Sequence, residues 1–201
     1  MTDPGSPGHP AVARRRRGAT LEDAILDAAW RELMDVGYAN LTIGAVAGRA
    51  RTSKPVLYRR WPRRADLILA AMLRHAPLLP GPLPDTGTLR GDVLALLGRV
   101  SAGVEEIGLA NIFGIAADSI RDEADVSLMH GMAAATQAMA AILQRAASRG
   151  ETRAGLAVTD RIASLPVALA RHELFFVRRG PVPDASLAEI VDQLFLPLVR
   201  R

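Results

Sequence analysis

Between Arg49 and Arg64 the chain places seven basic side chains (Arg49, Arg51, Lys54, Arg59, Arg60, Arg63 and Arg64) and no acid within 16 residues. Tyr58 and Trp61 lie among them, and Thr42, Thr52 and Ser53 stand at or near the starts of short apolar-periodic runs. Guanidinium and ammonium groups at this density bind phosphates and release the counterions condensed on a polyanion. A tyrosine or threonine hydroxyl adds a neutral phosphate ligand. A solvated basic face is the competing account of such a run. Here the charges coincide with three helix starts, at Thr42, Ser53 and Pro62, whose free backbone N–H groups also attract phosphate. Double-stranded DNA is therefore the expected partner.

The elements that must hold these groups are legible in the pattern. Thr42 caps a short helix with Ile43, Val46, Ala47 and Ala50 at i, i+3, i+4 and i+7. Gly44 and Gly48 weaken it by about 1 kcal/mol each relative to Ala, so tertiary packing must support it. Ser53 caps a second short helix from Lys54 to about Arg60, with Pro55 tolerated in its first turn. Trp61-Pro62 sets a boundary, and Pro62 opens a further helix through Leu67, Ile68, Ala71 and Met72 to about His75. Upstream, Thr20 caps a longer helix carrying Ile25, Ala29, Leu33 and Val36, with Leu26, Trp30 and Met34 alongside, and Gly37 ends it. Two short helices across a three- or four-residue turn make a helix-turn-helix. A helix with side chains is about 10–12 Å across and the major groove about 12 Å wide, so the second helix fits it.

The chain has 201 residues, no cysteine and a net charge of +4, with 49% hydrophobic and 23% charged residues. That excludes a disordered tail, a disulfide scaffold and a thiolate metal site. No apolar run approaches the roughly 20 residues needed to span a bilayer. Met1–Pro10 lacks an apolar stretch of the kind a secretory signal carries, so a cytoplasmic protein is expected. The charge is uneven: residues 1–75 carry 13 Lys and Arg against 7 Asp and Glu, and residues 76–201 carry 12 against 14. A basic front and a mildly acidic rear point to two tasks. The expected organisation is all-α with about nine helices. Residues 1–18 read as a disordered basic arm containing Arg14–Arg17, residues 19–75 as the DNA-binding domain with its fourth helix as connector, and residues 76–201 as a second helical domain. The arm either enters a minor groove or tracks phosphates, or it floats as a solubilising tail.

Leu41-Thr42-Ile43-Gly44-Ala45-Val46-Ala47, then Ser53-Lys54-Pro55-Val56-Leu57-Tyr58-Arg59-Arg60-Trp61-Pro62, then Ala65-Asp66-Leu67 resemble the DNA-binding domain of tetracycline-repressor-type (TetR family) regulators over about residues 20–75. The resemblance implies that Thr42 contacts a phosphate and that Thr52, Ser53, Lys54, Pro55 and Val56 lie where the recognition helix meets DNA. It implies that the Tyr58 hydroxyl reaches a phosphate, that Arg64 is a phosphate ligand at the start of the fourth helix, and that Leu57 and Trp61 are internal packing residues. Arg51 departs from the family's usual glycine in the turn: it is costly at positive φ, or it is an added DNA contact. Ala65 departs from a common acid. Lys54 and Arg59 could reach guanine edges and Val56 a thymine methyl. Arg59 and Arg60 cannot both face the groove from one helix.

The rear half resembles the family's variable domain only loosely, and there the resemblance implies a homodimer that releases a palindromic operator when a small molecule binds. Leu187, Ile190, Val191, Leu194, Phe195 and Leu198 form a complete apolar stripe on the last helix, expected as a dimer interface in a four-helix bundle; intrachain core is the competing reading. Pro166 is expected to kink the helix before it. Phe113, Met129, Met132, Phe175 and Phe176, with His130 and His172, are candidates to line a pocket for a small apolar or amphipathic ligand. No cofactor or metal site is expected, since the four histidines sit on separate segments without ligand spacing. A sequence-independent architectural DNA binder is the main alternative, and an unrecognised helical enzyme a remoter one.

Overall fold

The computed structural model describes residues 10–76, 81–121, 127–177 and 180–200, with the side chains of residues 10–19, 120–121 and 127–133 outside the description. It is helical throughout the described residues, with no strand. The chain divides into two compact units, Met1–Ala71 and Met72–Arg201, the division falling inside the fourth helix.

In the first unit, α1 (Pro10–Val36), α2 (Ile43–Arg49), α3 (Lys54–Arg60) and α4 (Arg64–His75) follow one another closely. Ile25, Ala29 and Leu33 of α1 are buried with Val46 and Ala47 of α2, Leu57 of α3, and Leu67, Ile68 and Ala71 of α4. Each large aliphatic side chain so buried contributes about 1.5–3 kcal/mol. Met34 and Val36, read as part of the same buried face, are exposed. The expected disordered arm is corrected in part: α1 begins at Pro10 rather than at Thr20. Pro10 suits a first helical position, and Ala11, Ala13 and the four arginines are strong helix formers, so local propensity carries the helix through the like charges. Residues 1–9 lie outside the described residues. Gly37, at φ 74°, closes α1.

The second unit contains α5 (Leu89–Ile107), α6 (Leu109–Arg121), α7 (Ser127–Ser148) and α8 (Asp160–His172), the last continuing as a π-helical segment, Glu173–Val177. Its final helix runs as α9 (Asp184–Glu189), a π-helical stretch Ile190–Phe195, and α10 (Leu196–Val199). The wider π turns precede Pro197, which has no N–H to donate and whose ring crowds the carbonyl four residues back. Thr88 and Thr159 cap α5 and α8 through their hydroxyls. Pro166 lies inside α8.

The terminal stripe needs correction. Leu187, Ile190, Val191 and Phe195 are all buried within the chain, whereas Leu194 and Leu198 are half exposed, at 49% and 53%. Helical periodicity identified a buried face. The face packs on α5 and α8 of the same unit, where Leu89, Val93 and Leu96 and Ala163, Val167 and Ala170 are buried. Intrachain packing therefore accounts for four of the six residues.

An ionic cluster absent from the sequence reading ties this unit together. Asp92 is fully buried on α5 and accepts hydrogen bonds from the Thr86 N–H at 2.6 Å and the Thr86 hydroxyl at 2.9 Å. Arg145 and Arg149 of α7 reach its other oxygen at 3.0 and 3.1 Å. Arg149 also pairs with Glu151 at 2.7 Å, and Glu151 accepts from the Leu89 N–H at 2.7 Å and from Arg200 at 3.1 Å. Burial pushes the Asp92 carboxyl up, but the Thr86 donors and the two guanidinium groups outweigh it and hold it below the usual carboxylate range. Glu151 is lowered in the same way, burial being outweighed by the Leu89 N–H and by Arg149 and Arg200.

Candidate nucleic-acid interface

The helix-turn-helix is built from short-range rules. The Thr42 hydroxyl accepts from the Ala45 N–H at 3.1 Å and so caps α2, leaving its own proton free to donate to a phosphate oxygen. Ser53 stands at the N-cap of α3 in extended backbone, yet its side chain makes no cap hydrogen bond. Between them α2 ends in a Schellman motif: Arg51 N–H donates to the Gly48 carbonyl at 3.1 Å and Thr52 N–H to the Ala47 carbonyl at 2.9 Å. Arg51 adopts the left-handed conformation that this motif requires, at φ 52°.

The seven basic side chains sort into two groups. Arg49 pairs with Glu32 at 2.9 Å and Asp35 at 2.8 Å, joining α2 to α1. Hydrogen bonding to Asp35, above all, raises its pKa against a smaller opposing effect of burial. Arg60 pairs with Glu22 of α1. Arg63 chelates Asp66 through two hydrogen bonds of 2.8 and 2.7 Å. Arg64, expected as a phosphate ligand, is placed differently: its guanidinium lies 4.2 Å from the centre of the Tyr38 ring and donates to the Tyr38 and Leu41 carbonyls at 3.3 and 3.1 Å. The ring face and two carbonyls form a partial cage that directs this cation to the α1–α2 loop.

Arg51, Lys54 and Arg59 remain. All three are exposed, and none has an ion-pair partner among the described residues. Lys54 lies close over Gly44, where an added Cβ would meet its Cε at 3.0 Å. Tyr58 is 48% exposed and its hydroxyl has no hydrogen-bond partner among the described residues. Ser53, Pro55 and Arg59 are exposed beside it, Thr52 and Val56 are half-buried, Leu57 is fully buried and Trp61 half-buried. The turn and the outer face of α3 thus carry three unpaired cations and three unengaged hydroxyls, those of Thr52, Ser53 and Tyr58. Such a surface can donate to phosphates along its edge and to base edges at its centre.

The model for bacterial regulatory proteins of the tetR family matches residues 25–71, covering α2 and α3 and most of the first unit. A second, for the C-terminal domain of tetracyclin repressor-like proteins, matches residues 83–194, more than half of the chain. The chain belongs to the TetR family. As a member it is a DNA-binding transcriptional regulator. Among its relatives, the DNA-binding transcriptional repressor TetR of Mycobacteroides abscessus is 32% identical, with 92% of this chain and 96% of that one aligned. The regulator AqdR of Rhodococcus erythropolis is 30% identical over 75% of this chain and 72% of its own. A TetR regulator from Haloarcula marismortui shares the fold with a TM-score of 0.65 at 12% identity, covering 91% of this chain and all of that one.

The aromatic group expected to line a ligand pocket in this TetR-family chain is assembled only partly. The rings of Phe113 and Phe175 meet at 5.3 Å, and His172 and Phe176 at 5.7 Å. Phe113 is 48% exposed and Phe176 71%, so both stand at the surface of the second unit rather than in a closed cavity. A cavity of about 200 Å³ bounded by Val104, Glu105, Gly108, Leu109, Leu174 and Pro181 includes none of them. The side chains of Met129, His130 and Met132 lie outside the described residues. No helix of the described residues is long and apolar enough to cross a membrane.

Proposed function

We propose that the protein is a cytoplasmic, homodimeric repressor that binds a palindromic operator through α3 of each subunit and releases it when a small apolar or amphipathic molecule binds the second unit. The observation that carries this reading is the grouping of Arg51, Lys54, Arg59 and Tyr58, exposed and unpartnered among the described residues, on the turn and face of a groove-sized helix. Thr42 at the start of α2 adds a phosphate donor, with Pro55 and Val56 in contact with the groove wall. Four neighbouring arginines are held in internal contacts, so the phosphate ligands are the three that are not.

Leu194 and Leu198 lie four residues apart on the terminal helix and are both exposed, as are Phe176 and Val177 after α8. Those positions, in place of the whole stripe, form the proposed contact with the second subunit. Two-fold symmetry then presents two recognition helices to half-sites about 34–36 Å apart. The ligand acts by linkage: a molecule favouring the subunit arrangement unsuited to DNA weakens operator binding by the same factor that operator weakens its own.

The test is selection of genomic fragments with the full-length protein, followed by footprinting with excess competitor DNA. Recovery of a palindromic footprint supports the repressor reading, and uniform coverage of any duplex replaces it with an architectural role. Light scattering on a Leu194→Glu, Leu198→Glu variant should show monomers. A persistent dimer would move the interface elsewhere.

A further inference from the structure

Two helices of this chain end in the same hydrogen-bonding pattern. At the end of α7, Gly150 N–H donates to the Ala147 carbonyl at 3.0 Å and Glu151 N–H to the Ala146 carbonyl at 3.0 Å, with Gly150 at φ 74°. At the end of α2, Arg51 and Thr52 make the equivalent two bonds, with Arg51 at φ 52°. The motif demands a left-handed residue at its penultimate position, and glycine supplies it without a Cβ clash. Among the described residues six glycines adopt positive φ (Gly37, Gly81, Gly87, Gly108, Gly150 and Gly155), and Arg51 is the one other residue that does. A long side chain is therefore kept in a strained backbone at one helix end only, the turn of the helix-turn-helix.

Among the described residues nothing explains that choice. Arg51 is exposed and has no ion-pair or hydrogen-bond partner for its guanidinium among the described residues, so it stabilises no neighbouring element. The strain persists because the two hydrogen bonds and the packing of Val46, Ala47 and Leu57 over-determine the turn. What the side chain adds must be realised outside the chain. It projects from the backbone immediately before Thr52, Ser53 and Lys54, where α3 begins, and a planar fork of five donors suits a phosphate or a guanine edge.

We propose that Arg51 is an added DNA-affinity residue: the turn holds it in a strained left-handed conformation so that its guanidinium engages the duplex beside the N-terminal end of α3, exchanging folding stability for operator affinity. The inference rests on the DNA-binding reading of this face, which already includes Arg51, and adds that the residue is kept there at a cost in folding stability, in a position whose backbone geometry calls for glycine.

The experiment compares the full-length wild type with Arg51→Gly, Arg51→Asn and Arg51→Lys. The probe is a duplex recovered by selection from random-sequence DNA with the wild-type protein, and binding is followed by anisotropy from about 50 to about 200 mM salt. Arg51→Gly should melt a few degrees higher, bind about tenfold more weakly, and show a salt slope smaller by about 0.9. Arg51→Asn, which tolerates the left-handed region without a charge, should lose the same slope with a smaller gain in melting temperature. Arg51→Lys should keep both the slope and the melting temperature of the wild type. If Arg51→Gly binds with unchanged affinity and slope, or melts no higher, the proposal is overturned while the wild type's own binding leaves the general reading standing. If the wild type enriches no duplex, the DNA-binding reading fails first and this proposal with it.

Discussion

The two units handle buried and surface charge in opposite ways, and the contrast identifies the functional face better than charge density does. In the second unit Asp92 and Glu151 are each held by backbone donors and two arginines, so Arg145, Arg149 and Arg200 all act as structural clamps on the Pro84–Thr88 segment, α7 and the C-terminal end. In the first unit Arg49, Arg60 and Arg63 face carboxylates in the same manner and Arg64 is held by the Tyr38 ring and two backbone carbonyls, whereas Arg51, Lys54 and Arg59 have no such partner among the described residues. A guanidinium already facing a carboxylate offers little field to a phosphate. An unpaired one retains its full attraction and its counterions. The count of basic residues suggests a polyanion, and the pairing decides which of them touch it.

The largest effect expected from this contrast lies in the clamped unit. Asp92→Asn leaves two arginines facing a neutral amide in a buried site, and should lower unfolding stability by about 3 kcal/mol in urea melts near neutral pH. Asp92 and Glu151 are both held lower in the folded chain than their unfolded values of about 3.9 and 4.3. Their contribution is therefore complete above those unfolded values and is lost as the pH falls through the lower folded ones. Wild-type stability should fall steeply below about pH 4, and Asp92→Asn should flatten that acid limb. An acid limb identical in the two proteins would show that the cluster does not distinguish this unit.

A pair of arginine truncations sharpens the contrast within the first unit. Arg59→Ala removes an unpaired cation, and should weaken binding to a selected duplex by roughly fivefold or more and lower the salt slope by about 0.9, with the melting temperature unchanged. Arg49→Ala breaks the contacts to Glu32 and Asp35 and should do the reverse, lowering the melting temperature while the slope is retained. If both variants lose slope equally, the division into structural and DNA-facing cations is wrong.

What could be read in the sequence was local. The cap at Thr42, the helix end at Gly37 and the span of α3 follow from residues within one turn of each other. The corrections arise where partners are distant in the chain. Arg64 is aimed by Tyr38, 26 residues away, and the Leu187–Phe195 face is filled by helices that periodicity cannot name. The Asp92 cluster did leave a trace: Asp92 interrupts the Leu89, Val93, Leu96 stripe, and an acid on an apolar face requires buried partners. At Arg14–Arg17 helix propensity prevails over like-charge repulsion, so the helix runs from Pro10 onward.

The smallest effect separates two hydroxyls that look alike in sequence. Thr42 and Ser53 both occupy N-cap positions of short helices in the first unit, but only Thr42 accepts a backbone hydrogen bond, from Ala45 at 3.1 Å. Thr42→Ala should therefore cost about 1 kcal/mol of folding stability, together with a loss of DNA affinity from the missing phosphate donor. Ser53→Ala removes a hydroxyl with no cap bond in the free protein, so its melting curve should overlay the wild type. Its effect should appear only when DNA is present, as a several-fold weaker complex. Equal destabilisation by the two substitutions would mean that the Ser53 hydroxyl caps α3 in solution. That outcome would remove it from the set of groups held ready for DNA.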